Sequence, residues 1–280
     1  MFSFTFPIPF KNGDKFKVLP LSDIHYDGRG KNSLCDSDKL KRDLAERVDD
    51  KTIILSIGDN FGGIIPSDVK RYRKTHDAAE GEDILDESIN GLAEILMPYR
   101  EQIYGLGDGN HEQSILAHCG TDMTRRLIDI LNHGRKNPVE IQHLGYSWLL
   151  RFAFRRKGGG GRSVIIRGHH GWGGGSRTQG ADVTKFSHDA QYWNANLFLY
   201  GHVHKMKIND IEEGSMVGER GWKTTRKRMC ICGTYQKTYS DSRSATYAEM
   251  KGYPPTTLRH PIIYLMPNSN YPDVLITITT

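Results

Sequence analysis

Three times in the first 130 residues, a short apolar run ends in a polar turn and gives way to a helical pattern. Lys15-Phe16-Lys17-Val18-Leu19-Pro20-Leu21 leads into Ser22-Asp23-Ile24-His25-Tyr26-Asp27. Asp36 or Ser37 then caps a helix in which Leu40, Leu44 and Val48 share a face. Thr52-Ile53-Ile54-Leu55-Ser56-Ile57 is apolar and β-branched, and leads into Gly58-Asp59-Asn60. A helical period follows at Ile84, Leu85, Ile89, Leu92, Ile95 and Leu96, and Pro98 ends it. Gln102-Ile103-Tyr104-Gly105-Leu106 leads into Gly107-Asp108-Gly109-Asn110-His111-Glu112. This alternation predicts a parallel sheet with helical crossovers. Ligands of such sheets sit outside the carboxyl ends of the strands, where all three turns would lie.

The second half has a different texture. Ser147 to Phe154 reads as a strand, Gly158 to Gly161 as a flexible turn, and Ser163 to Arg167 as the returning strand. That strand runs into Gly168-His169-His170-Gly171-Trp172-Gly173-Gly174-Gly175. A helical stretch near Thr184 to Trp193 precedes the strand Leu197 to Tyr200, which ends in Gly201-His202-Val203-His204. Further strands are expected at Arg228 to Tyr235, Ile262 to Met266 and Val274 to Thr279. The stretch Met1 to Phe10 is apolar, but Pro7 and Pro9 interrupt it and no basic start precedes it. It reads as an edge strand or a strap on the core rather than a leader or a span.

With no linker-like tract in 280 residues, one domain over 1–280 is expected. The net charge of +5 suits an anionic substrate and is weak as a sign of nucleic acid. Cys35, Cys119, Cys230 and Cys232 form no paired zinc pattern and read as small buried hydrophobes. No segment reads as a membrane span, and a cytoplasmic protein is expected, in the host cytoplasm if the source is viral.

Five predicted strands therefore end in Asp23/His25, Asp59, Asn110/His111, His169/His170 and His202/His204. Carboxylates, imidazoles and an amide oxygen together suit Mn, Fe, Zn or Co better than Mg or Ca, which prefer oxygen alone. Seven or eight such groups are too many for one ion and suit two ions sharing a carboxylate. Paired ions about 3.5–4 Å apart clamp a phosphoryl group and generate hydroxide between them.

The series Asp-x-His, Gly-Asp, Gly-Asn-His-Glu, His and Gly-His-x-His resembles the calcineurin-like metallophosphoesterase family, with the matching motifs running from Asp23 to His204. The resemblance implies an α/β fold of four layers, αββα, with two mixed sheets flanked by helices. It implies one ion held by Asp23, His25, Asp59 and His204. A second would be held by Asp59, Asn110, His202 and one of His169 and His170. Asp59 would bridge, and His111 would serve catalysis beside the phosphate without binding metal. His170 is favoured over His169, because the His-Gly-x-Gly-Gly-Gly run is similar to the family's histidine and glycine-rich loop in bacteriophage members. Where many members carry an aspartate a few residues after Gly-Asp, this chain has Asn60-Phe61-Gly62-Gly63.

The expected activity is phosphoester hydrolysis with two divalent transition-metal ions, manganese first and Fe, Zn, Co or Ni as substitutes. Phosphodiesters, as nucleotides or nucleic acid, are preferred because two basic runs carry an aromatic, Lys70 to Lys74 and Arg220 to Arg228. Phosphomonoesters or phosphoproteins are the alternative substrates, and an inactive metal-binding scaffold is the alternative of another class. Arg177 is a candidate contact for a substrate phosphate, against a solvated loop arginine. Asp27 and Asp108 read as loop or cap residues. His76, His118, His133, His143, His188 and His260 read as ordinary core or surface residues.

Overall fold

The computed structural model describes residues 1–28, 33–62, 83–173, 178, 180–239, 245–268 and 275–279. Arg177, the Lys70 to Lys74 run and His76 lie outside the described residues.

The parallel sheet read from the first half is present. Strands β2 (Phe16–Leu21), β3 (Thr52–Ser56), β4 (Ile103–Gly107) and β5 (Gln142–Gly145) lie side by side and parallel. Helices α1 (Ser37–Arg47), α2 (Ile84–Leu96), α3 (Asn110–Cys119) and α4 (Met123–Asn132) join them. Asp36, not Ser37, is the cap of α1: its side chain accepts from the Lys39 amide at 2.9 Å. The apolar stripes of these helices pack on one face of the sheet, with Leu40, Leu44, Leu92, Leu96, Ile115 and Leu127 against Leu21, Ile54 and Leu106. Antiparallel strands β11 (Ile262–Met266) and β12 (Leu275–Thr279) extend its other edge.

A second six-stranded sheet has the order β1-β6-β7-β8-β10-β9. Its members are β1 (Phe2–Phe10), β6 (Ser147–Arg156), β7 (Gly161–His169), β8 (Leu197–Tyr200), β9 (Lys207–Val217) and β10 (Gly221–Ile231). β1 is an edge strand, as its two prolines require, and pairs parallel to β6. Side chains alternate between faces. Trp148, Leu150, Phe152 and Phe154 of β6 point at the first sheet with Leu197, Leu199 and Cys230. Phe198, Tyr200, Met229 and Ile231 point outward to Phe186 and Ala190 of α5 (Ala181–Ala190). The result is a four-layer αββα sandwich of two mixed sheets. Among the described residues, no helix is long and apolar enough to cross a membrane.

Two sequence readings change. Cys35, Cys230 and Cys232 are buried as expected, but Cys119 at the end of α3 is exposed. Arg220 to Arg228 is not a free basic loop. It forms most of β10, paired antiparallel along its whole length with β9, a strand that no alternation in the sequence announced. β8 pairs with β10 only from Arg228 to Ile231, so before Arg228 the β9–β10 pair runs on as a free two-stranded ribbon. Three of its basic side chains face acidic partners: Arg228 and Arg226 meet Asp210, Arg226 also meets Glu212, and Lys227 meets Glu213.

The layering makes a direct prediction. Phe152 is fully buried between the sheets, with ring centroids 5.3 Å from Phe6 and 5.7 Å from Tyr104. Phe152→Ala should lower the unfolding free energy by about 3–5 kcal/mol in urea titrations. Trp222 at the ribbon tip is 75% exposed, and Trp222→Ala should change it by less than about 0.5 kcal/mol. Equal effects at the two positions would contradict the layer assignment.

Candidate metal centre

The carboxyl ends of β2, β3, β4, β7 and β8 meet at one end of the sandwich. Backbone pairing continues past the strands and locks the turns together. The Asp23 amide donates to the Gly58 carbonyl at 3.0 Å and the His25 amide to the Asp59 carbonyl at 2.9 Å. The Gly201 amide donates to the His170 carbonyl at 2.9 Å. Asp23, His25, Asp59, His202 and His204 all have φ between 48° and 72°. They are the only non-glycine residues with positive φ among the described residues. Such backbone is strained for a side chain with a Cβ, and strain of this kind collects at functional sites.

The turns bring seven of the expected donors together. Nε2 of His204 lies 3.2 Å from Asp23 Oδ1 and 3.1 Å from His25 Nε2. His25 Nε2 is 3.8 Å from Asp23 Oδ1 and 3.7 Å from Asp59 Oδ2. On the other side of Asp59, its Oδ2 is 3.2 Å from His170 Nε2. Asn110 Oδ1 is 3.1 Å from that same nitrogen and 2.8 Å from His202 Nδ1. Asp59 thus stands between two clusters, Asp23/His25/His204 and Asp59/His170/His202.

His170 and His169 point to different places. His170 is fully buried, and its Nδ1 lies 3.2 Å from the Ile57 carbonyl. A carbonyl only accepts, so that nitrogen carries a hydrogen, and Nε2 is the nitrogen turned toward Asp59 and Asn110. His169 turns away. Its Nδ1 accepts from the Gly171 amide at 2.9 Å, and its ring packs on Tyr146 and Trp172.

His111 is at the rim of the same cavity. Its amide donates to Asp59 Oδ1 at 3.0 Å, and its Nδ1 donates to the Gly62 carbonyl. Its Nε2 is 4.0 Å from Asp59 Oδ2, farther than any nitrogen of the two clusters is from its nearest donor. The ring meets His25 edge to face at 4.7 Å.

The donors fit divalent ions. Neighbouring donors around an ion held at about 2.1 Å are about 3.0–3.4 Å apart, and four of the contacts here fall at 3.1–3.2 Å, with Asn110 and His202 closer at 2.8 Å. The Nε2 atoms of buried His25 and half-buried His204 face each other, and only one of them can carry a hydrogen to the other. The charges ask for a cation as well. Burial works against both carboxylates, yet the surrounding imidazoles hold Asp23 and Asp59 well below the usual carboxylate range. Burial pushes His25 down to about 4. Burial opposes charge on His170 too, but Asp59 beside it pulls that ring up to about 9. A proton on His170 is what two buried carboxylates require when no metal is bound, and a divalent ion would displace it.

Three polar residues to which the motifs gave no role hold the turns here. Glu112 accepts from the Gly109, Phe61 and Asp59 amides at 2.7, 2.9 and 3.1 Å, tying the β3 and β4 turns together. Burial, with Asp59 close by, pushes Glu112 up to about 8. The Gly109-x-x-Glu112 spacing of a helix start was the available signal. Asn60 holds the same turns, donating to the Gly107 carbonyl at 2.8 Å. Asp108 lies in the loop between β4 and α3, as read, but is buried there and takes His143 Nε2 at 2.9 Å. Asp27 does behave as a loop residue, accepting from Ser33 and the Leu34 amide.

No family model matches the chain, and no curated protein matches it. Solved structures overlap most of its length. A predicted phosphoesterase of Streptococcus pneumoniae TIGR4 is 14% identical over 95% of this chain and 90% of that one, with a TM-score of 0.32. GAP50, the anchor in the inner membrane complex of Plasmodium, is 12% identical over 95% and 84%, with a TM-score of 0.46. Vps29 complexed with zinc from Entamoeba histolytica is 12% identical over 94% and 98%, with a TM-score of 0.33. At such identities and scores these overlaps assign neither family nor activity, and the reading of the site rests on its own donors.

Removing Glu112 should be felt in the fold itself. Glu112→Ala leaves three buried amides without their acceptor, each worth about 1–3 kcal/mol. A loss of at least about 2 kcal/mol is expected in urea unfolding of the metal-free protein, and an unchanged midpoint would show that the carboxylate does not hold the turns.

Proposed function

We propose that the protein is a metal-dependent phosphoester hydrolase with a two-ion centre. The observation that carries this reading is the placement of Asp59 between two clusters of imidazole and carboxylate donors. Asp23, His25, Asp59 and His204 would hold one ion, and Asp59, Asn110, His170 and His202 the other. When bound, two divalent ions supply the surplus positive charge that draws in a phosphate and the acidity that activates water. Manganese is the first candidate from the mixed nitrogen and oxygen donors, with Fe, Zn, Co or Ni as substitutes.

The chain's own part is to fix geometry and move a proton. The left-handed turns and the bonds among them hold the donors before any ligand arrives, so little reorganisation is left to the reaction. His111 is oriented by the Gly62 carbonyl through Nδ1, which leaves Nε2 facing the cavity. From there, with both nitrogens protonated, it would give the Nε2 proton to the leaving oxygen and be left as the neutral ring still bonded to Gly62.

The ester class is narrowed less than the basic runs implied. β10 runs parallel to β8, so its end at Ile231 lies with the site and its start at Gly221 lies at the far pole. At about 3.4 Å per residue, the tip of the ribbon is roughly 34 Å away along the strand. Arg226, Lys227 and Arg228 are also paired with acidic residues. The Arg220 to Arg228 run therefore gives no support to a nucleic acid gripped at the metals. The proposal is hydrolysis of phosphoesters, with diester and monoester to be separated by assay, and an inactive scaffold as the reading of another class.

Purified protein with Mn²⁺ should hydrolyse bis-p-nitrophenyl phosphate, p-nitrophenyl phosphate or both; two bound ions with no turnover on either would favour the scaffold. His111→Ala should keep both ions and lose most turnover, about 100-fold or more. His170→Ala should lose an ion by metal analysis while His169→Ala keeps two, and the reverse pattern would reassign the ligand.

A further inference from the structure

His260 carries no motif and lies between α6 (Tyr247–Lys251) and β11, yet it is fully buried directly behind the site. Its Nε2 is 3.0 Å from the carbonyl oxygen of Ser22, the residue before Asp23. That oxygen only accepts, so Nε2 carries the hydrogen, and the buried Nδ1, which has no partner among the described residues, is the bare nitrogen. Burial holds the ring down to about 4, so it is neutral at physiological pH. The ring stacks on Tyr235, with centroids 4.2 Å apart and planes at 16°. The Tyr235 hydroxyl in turn donates to Asp43 of α1 at 3.2 Å, and Arg47 of α1 donates to the His260 carbonyl at 3.0 Å. The imidazole is thus held from α1 on one side and meets the metal-side turn on the other.

What it holds is a strained residue. Asp23 has φ of 50°. Its carbonyl accepts from Thr234 Oγ1 at 2.7 Å and from the Tyr235 amide at 3.1 Å, both on the same segment that presents the Tyr235 ring. Its carboxylate takes Ser22 Oγ at 2.5 Å and the His202 amide at 3.0 Å. The Ser22 carbonyl is fixed only by His260 among the side-chain bonds described. Without that donor, a buried acceptor beside a left-handed residue loses its partner, and the turn can relax toward ordinary φ.

We propose that His260 is a positioning residue for Asp23, acting through the Ser22 carbonyl as a neutral Nε2–H donor. This rests on the reading of Asp23 as a ligand of the first ion. The proposal separates the hydrogen bond from the packing. His260→Phe keeps a flat ring against Tyr235 but cannot donate, whereas His260→Gln loses the ring but offers an amide donor.

The test is Mn²⁺ titration by calorimetry on the full-length wild type and both variants, with melting curves on each. The wild type is expected to take two ions. His260→Phe should bind one of them about tenfold or more weakly, with the other unchanged, the size of effect seen when a partner of a metal ligand is removed. His260→Gln should recover most of the loss. In the metal-free wild type, imidazole NMR should show the hydrogen on Nε2. His260→Phe with both affinities at wild-type values overturns the proposal. So does equal loss of both ions with a lowered melting point that Gln does not restore. A wild type that binds no ion overturns the hydrolase reading itself, a result distinct from any difference between the variants.

Discussion

Five left-handed residues carry the functional end of this molecule. Asp23, His25, Asp59, His202 and His204 sit in a backbone region that costs of order 1–3 kcal/mol each. Such conformations persist only when their surroundings over-determine them. Here the ladder bonds of both sheets run on past the strand ends, from Asp23 to Gly58, His25 to Asp59 and Gly201 to His170. Glu112 adds three acceptor bonds from beneath. At Gly109 and Gly201 the packing leaves no room for a Cβ, which would strike Asp59 in one case and Ser22 in the other. The rigid sandwich behind the turns is what makes this concentration of strain affordable.

The same constraint produces the electrostatics. Holding Asp23 and Asp59 buried and close to five imidazoles leaves too little water to screen them. Imidazoles alone meet the demand only by taking up protons, as His170 does. A pair of divalent ions, as proposed, would meet it without protons. His111 stands farther from the bridging carboxylate than His170, its Nε2 lying 4.0 Å from Asp59 Oδ2 against 3.2 Å, while its Nδ1 is held by the Gly62 carbonyl.

Much of this was legible in the sequence because each donor directly follows an apolar run. Leu55 and Ile57 before Asp59, or Leu199 and Tyr200 before His202, mark a buried strand and place the polar residue at its end. Local patterns could not show what depends on partners distant in the chain. β9 has no clean alternation because its outer half is a free ribbon exposed on both faces, so Arg226 looked like a free cation until Asp210 and Glu212 were placed across from it. What separates His169 from His170 in the structure is strand phase: the last residue of β7 points outward, and the next one turns in toward Asp59. His260 lies 238 positions from its partner Ser22, and Tyr235 192 from Asp43. Glu112 was visible as a helix-start carboxylate but not as the acceptor for the Asp59 and Phe61 amides, more than 50 positions away.

The most direct test is anomalous diffraction from crystals grown with Mn²⁺. The account predicts two peaks about 3.5–4 Å apart. Asp59 should lie between them, with Asp23, His25 and His204 on one and Asn110, His170 and His202 on the other. No peak in this cavity, or a single ion held without Asp59, would contradict it.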